Sequence, residues 1–125
     1  MYERSDNSLN KWSKKEGITD SSLCKAITEI HEGLIDAELG AGLIKKRMSK
    51  PGQGKRGSYR TLLAFRNSQR AIFLTGFSKN ELDNISSDEK DVFKKLCRIY
   101  LAASLNDLEL MCKAKTLIKV SYEKE

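Results

Sequence analysis

Leu43–Lys79 reads LIKKRMSKPGQGKRGSYRTLLAFRNSQRAIFLTGFSK, and its reading decides the fold. Leu43–Ser49 alternates, placing Leu43, Lys45, Arg47 and Ser49 on one face and Ile44, Lys46 and Met48 on the other. Pro51–Gly57, PGQGKRG, can continue neither helix nor strand and reads as a connecting loop. Ser58–Arg66 is a second strand, with Tyr59, Thr61, Leu63 and Phe65 on one face and Arg60, Leu62, Ala64 and Arg66 on the other. Asn67-Ser68-Gln69 turns the chain into a third, strongly apolar strand, Ala71–Phe77. Three consecutive strands on short connections predict an antiparallel meander.

The same stretch holds ten Lys and Arg and no acid, whereas the rest of the chain carries 13 basic and 17 acidic residues. The formal charge of +6 is therefore a +10 centre set in a −4 surround. A basic block on a sheet builds a local positive potential that attracts phosphate. Arginine suits bidentate phosphate contacts and lysine supplies point charges. If strand pairing sets Arg60 and Arg66 beside Lys45 and Arg47, the result is a cationic groove floored by apolar residues. The GQGKRG segment has neither the GxxxxGK[ST] order of a P-loop nor the strand–helix frame of a GxGxxG fingerprint. It reads as a hairpin tip carrying Lys55 and Arg56.

Working outward, Thr19 and Asp20 are N-cap residues for an amphipathic helix over residues 20–32, with Leu23, Ile27, Ile30 and Leu34 in its stripe and Gly33 as its stop. His31, the single histidine, reads as a surface or half-buried structural residue. LIDAELGAGL reads as a loop. Residues 1–18 read as an irregular arm or short helix with Trp12 packed inward. Ser78/Glu81 and Ser86/Glu89 are capping boxes. The second opens a helix over residues 87–103, striped by Val92, Phe93, Leu96, Cys97, Tyr100 and Leu101. A last helix from Asp107 leads into a short strand at Leu117–Val120. The expectation is one α+β domain spanning 1–125, with 1–9 an irregular arm and 121–125 a tail. Its helices are expected on one face of a small antiparallel sheet, with the other face partly open.

A chain of 125 residues fits one domain. No run approaches the ~20 apolar residues of a membrane span, and MYERSDNSLN lacks the pattern of a signal peptide. Cys24, Cys97 and Cys112 are far apart and read as small buried hydrophobes; without a CxxC or a His/Cys cluster there is no basis for a zinc site. No metal, small-molecule cofactor or membrane partner is expected, and the expected setting is the cytoplasm.

The segments KWSKKEGIT, GLIDAELGAGLIKKRMSKPGQGKRGSYRTLLAF and RAIFLTGFSKNELDNIS carry a further signal. They resemble the RelE/HigB-like toxins of bacterial type II toxin–antitoxin systems, in the branch with a KKR…PGQGK…GYRT…RAFF…GFxKNE…NI pattern. The resemblance spans about residues 10–120; Arg56 and Ser58 stand where small residues are common. It implies a RelE-like antiparallel sheet flanked by helices. It also implies a ribosome-dependent mRNA endoribonuclease that inhibits translation and is neutralised by a cognate antitoxin, often of helix-turn-helix type.

Carried over by position, Lys45 and Arg47 match the paired basic residues of the second family strand. Arg60 matches the arginine that contacts the scissile phosphate, and Lys79 matches a further phosphate-stabilising position. Lys46, Lys55, Arg56 and Arg66 are the expected RNA-binding residues around them. Relatives place a tyrosine or histidine after the third strand or near the C-terminus; Asn80–Ile85 offers neither, and Tyr122 lies on the tail. The general base is therefore unassigned by the resemblance, with Lys45 its best candidate. Two other classes stay open: a ParE-like inhibitor of DNA gyrase that cuts nothing, and a plain basic nucleic-acid-binding module.

Overall fold

β3 (Leu43–Met48), β4 (Tyr59–Arg66) and β5 (Arg70–Ser78) pair antiparallel in sequence order, as the alternation and turn signals predict. The computed structural model describes residues 2–6, 18–48, 59–66, 70–78 and 85–119. Around the meander it adds β1 (Tyr2–Asp6), β2 (Ala37–Gly40) and β6 (Leu117–Lys119), for a six-stranded sheet in the order β2-β3-β4-β5-β1-β6. The fold is α+β, with a meander and a short terminal strand.

Two strands come from segments that carry no strand pattern. Tyr2–Asp6, expected in an irregular arm, forms β1, parallel to β5 and antiparallel to β6. An inner strand draws on backbone pairing along both edges, so it can form without alternating side chains. LIDAELGAGL, expected as a loop, contains β2. It is joined to β3 by Ala41-Gly42, whose φ values of 57° and 84° are those of a two-residue type I′ hairpin turn.

Helices cover both faces of the sheet, which corrects the expectation of one open face. α1 (Asp20–His31) is capped by the Thr19 side chain accepting from Ser22 N, and Gly33 at φ 86° ends it. It buries Leu23, Ala26, Ile27 and Ile30 against Ile44, Met48, Tyr59, Leu63 and Phe73. α2 (Ser87–Ala102) opens with the Ser86/Glu89 capping box. With α3 (Leu105–Lys113), it covers the other face through Cys97, Tyr100 and Leu108, over Leu43, Leu62, Ala64, Ile72 and Leu74. Val92, expected in the α2 stripe, is instead 55% exposed. α3 begins a half-turn earlier than expected, at Leu105, because Ser104 rather than a later residue is its cap.

The β4–β5 register shifts between Leu62 and Leu63: Leu63 pairs with Phe73, but Leu62 pairs with Thr75, leaving Leu74 as an extra residue. Simple alternation would keep Phe73, Thr75 and Phe77 on one face. The bulge moves Thr75 and Phe77 to the opposite face, beside Leu62 and Arg60. The turn at 67–69, the PGQGKRG loop, Trp12, the Ser78/Glu81 capping box and Tyr122 lie wholly or partly outside the described residues.

Candidate phosphate-binding site

The β3–β4 register pairs Arg47 with Arg60, Lys45 with Leu62 and Leu43 with Ala64. Directly paired residues of antiparallel strands share a face, so Lys45, Arg47 and Arg60 stand together. They extend the face that α2 and α3 cover at its other end. Arg47 is exposed, while Lys45 and Arg60 are half-buried. Phe77, placed opposite Arg60 by the β5 bulge, and Leu62, fully buried, supply the apolar floor. The strand pairing that the sequence left conditional thus sets these three cations on one face.

Arg60 is held by an acid. Its Nε lies 3.3 Å from Oδ2 of Asp36, the residue preceding β2, and the two side chains are 19% and 29% exposed. Asp36 is itself anchored, its backbone N donating to Lys45 O at 3.0 Å. Asp36 is the site residue that sequence reading missed; its only signal was its place at the start of a segment read as a loop.

Two expected RNA-binding residues stand elsewhere. Lys46 pairs with Thr61 on the α1 face, is 6% exposed, and places Nζ 3.2 Å from Glu29 Oε1 of α1. Alternation had already put it opposite Lys45; its ion pair ties α1 to the sheet. Arg66 shares Arg60's face but sits at the far end of β4, roughly 20 Å along a strand at about 3.3 Å per residue. There its Nη1 donates to Leu101 O at 2.8 Å.

Arg70, paired with Arg66 across β4 and β5, donates from Nη1 to Tyr100 O at 2.6 Å and Ala103 O at 2.7 Å. The last turn of α2 contains no basic residue. These two strand arginines take over its C-terminal carbonyls and oppose the negative end of its dipole. Three members of the basic block, Lys46, Arg66 and Arg70, therefore act in the architecture. Lys55, Arg56 and Lys79 lie outside the described residues.

A second concavity, about 610 Å³, opens at the β2–β3 turn and is lined by Ile30, Ile35, Leu43, Phe65, Arg66 and Leu101 among others. It lies at the opposite end of β3 from Arg47. His31 is exposed near it, edge-on to Phe65 with ring centroids 5.4 Å apart, a packing role away from the cationic face. Among the described residues no cluster of His, Cys, Asp and Glu could hold a metal ion, and no helix is long and apolar enough to cross a membrane. Cys97 is buried, and burial pushes its thiol up to about 11, so it packs as a small apolar group.

No curated protein matches the chain. The family model described as the RelE toxin of the RelE/RelB toxin–antitoxin system matches residues 5–120, which takes in every strand of the meander and the Lys45–Arg47–Arg60 face. By that match over nearly its whole length, the chain belongs to the RelE toxin family, as the toxin of a toxin–antitoxin system.

Proposed function

We propose that the protein is a ribosome-dependent mRNA endoribonuclease that arrests translation in the cytoplasm, with Lys45, Arg47 and Arg60 around the scissile phosphate. Family membership supports this reading, since RelE toxins are in general mRNA endoribonucleases. The single observation that carries it is the Arg47–Arg60 pair. Two like charges placed directly opposite each other on a sheet are destabilising. A phosphate set between them converts that repulsion into a two-armed contact.

Cleavage needs no external nucleophile. The 2′-oxygen of the RNA attacks the adjacent phosphorus, the phosphorane forms, and the bond to the 5′-oxygen breaks. The departing 5′-oxygen takes a proton from water, so the products are a 2′,3′-cyclic phosphate and a 5′-hydroxyl. Arg47 and Arg60 stabilise the extra negative charge of the phosphorane, which is where fixed cations contribute most. Lys45, the next residue of β3 on the same face, is the proposed base for the 2′-hydroxyl proton. Lys79, proposed from the family pattern, assists at the phosphate, and Lys55 and Arg56 hold flanking RNA.

The family also pairs with an antitoxin. We propose a cognate antitoxin, of helix-turn-helix type, whose acidic or amphipathic segment covers the basic face by charge complementarity.

Induction of the protein alone in a bacterial host, with mRNA 5′ ends mapped within minutes, tests the reading. Cuts inside translated codons that vanish when initiation is blocked are expected. Growth arrest with intact mRNA and DNA-damage signalling would replace it by gyrase inhibition. Harmless expression with salt-sensitive RNA binding would leave a binding module.

A further inference from the structure

We propose that Asp36 is a positioning residue, holding the Arg60 guanidinium at the scissile phosphate; the inference rests on the nuclease reading above. An acid in a site built to bind a polyanion opposes affinity. Its place 3.3 Å from Arg60 Nε therefore needs a reason other than RNA binding. The surroundings provide one. Arg60 faces Arg47 directly across the strands, and Lys45 is the next residue of β3 on that face, so repulsion drives the Arg60 side chain away from its neighbours. An arginine has several rotatable torsions and loses that freedom only where a partner is fixed.

Asp36 is such a partner. Its backbone N–H is bound to Lys45 O, so its carboxylate is presented from the ladder rather than from a loop tip. The pair is only 19% and 29% exposed, which limits the hydration that weakens surface ion pairs. The contact is made through Nε, next to the side-chain stem, where it restrains the orientation of the guanidinium. Misplacement of such a group by about 1 Å is enough to cost roughly 100-fold in rate.

The signature is a split between binding and catalysis. In wild-type protein and Asp36→Ala, RNA affinity and single-turnover cleavage on ribosomes programmed with mRNA are measured side by side, with the melting temperature of each. Asp36→Ala is expected to bind RNA as tightly as wild type or tighter, because the site loses a negative charge. Its cleavage rate should fall about 10- to 100-fold. Asp36→Asn keeps an oxygen acceptor beside Nε and should recover part of that rate. Wild-type cleavage by Asp36→Ala would overturn the proposal. So would a parallel loss of affinity, rate and melting temperature, which marks a purely structural role. A wild-type protein that cleaves nothing would remove the nuclease reading itself, a result visible before any variant is compared.

Discussion

Arg47 and Arg60 are direct partners across β3 and β4, with Phe77 of β5 on the other side of Arg60. A sheet selected only for stability would place opposite charges or apolar residues there. Of this like-charge pair, Arg60 is held by its ion pair with Asp36.

Removing one arm of this pair separates activity from folding. Arg60→Ala is expected to lower mRNA cleavage by about 100- to 1,000-fold, the cost typical of losing one fixed charge stabiliser. Its circular dichroism should match wild type. A folded Arg60→Ala protein that still arrests growth would contradict its assignment.

The alternation of β3 puts neighbouring lysines on opposite faces of the sheet. Lys45→Met should abolish toxicity. Lys46→Met, on the α1 face, should leave toxicity intact and change stability by about 1 kcal/mol or less, since Glu29 is partly solvated and the methionine fills the same space. Growth assays paired with urea denaturation distinguish the two.

The strand arginines under α2 predict a stability effect without a catalytic one. Arg70→Met strips charged donors from the carbonyls of Tyr100 and Ala103 and should lower unfolding free energy by about 2–3 kcal/mol. Arg66→Ala, exposed and with one such bond, should lose about 1 kcal/mol or less and retain activity.

The β2–β3 turn predicts a packing effect. A Cβ on Gly42 would overlap Leu101 Cδ1, at a φ of 84° that side chains resist. Gly42→Ala should cost about 2–4 kcal/mol from the overlap and the left-handed backbone together. Ala41→Gly, at φ 57°, should instead be neutral or stabilise slightly in thermal melts.

Cys97 links stability to alkaline pH. Its thiol is raised from 9.0 to about 11 in the folded protein, so the unfolded chain releases that proton first. Stability contributed by the neutral thiol is complete below about pH 9 and is lost as pH rises towards 11. Wild type should therefore lose more stability than Cys97→Ala between these pH values in denaturant titrations. Native-state alkylation at pH 8 should reach Cys24 and Cys112 before Cys97.

Local chemistry made much of this legible in the chain itself. The meander follows from period-two alternation and turn residues, the caps at Thr19 and Ser86 from their own hydroxyls, and the shared face of Lys45 with Arg47 from parity. Each depends on residues within a few positions of one another. What the tertiary structure alone decided depends on distant partners. The register that brings Arg60 beside Lys45 and Arg47 came from the tertiary structure. Tyr2–Asp6 becomes an inner strand because β5 and β6 offer two edges to it. The extra Leu74 turns Phe77 towards Arg60, against the sequence parity of β5. Asp36 meets Arg60, and Arg66 and Arg70 meet the end of α2, across long stretches of chain. Alternation assigns a charge to a face, but only packing decides whether that charge meets solvent, a helix end or a carboxylate.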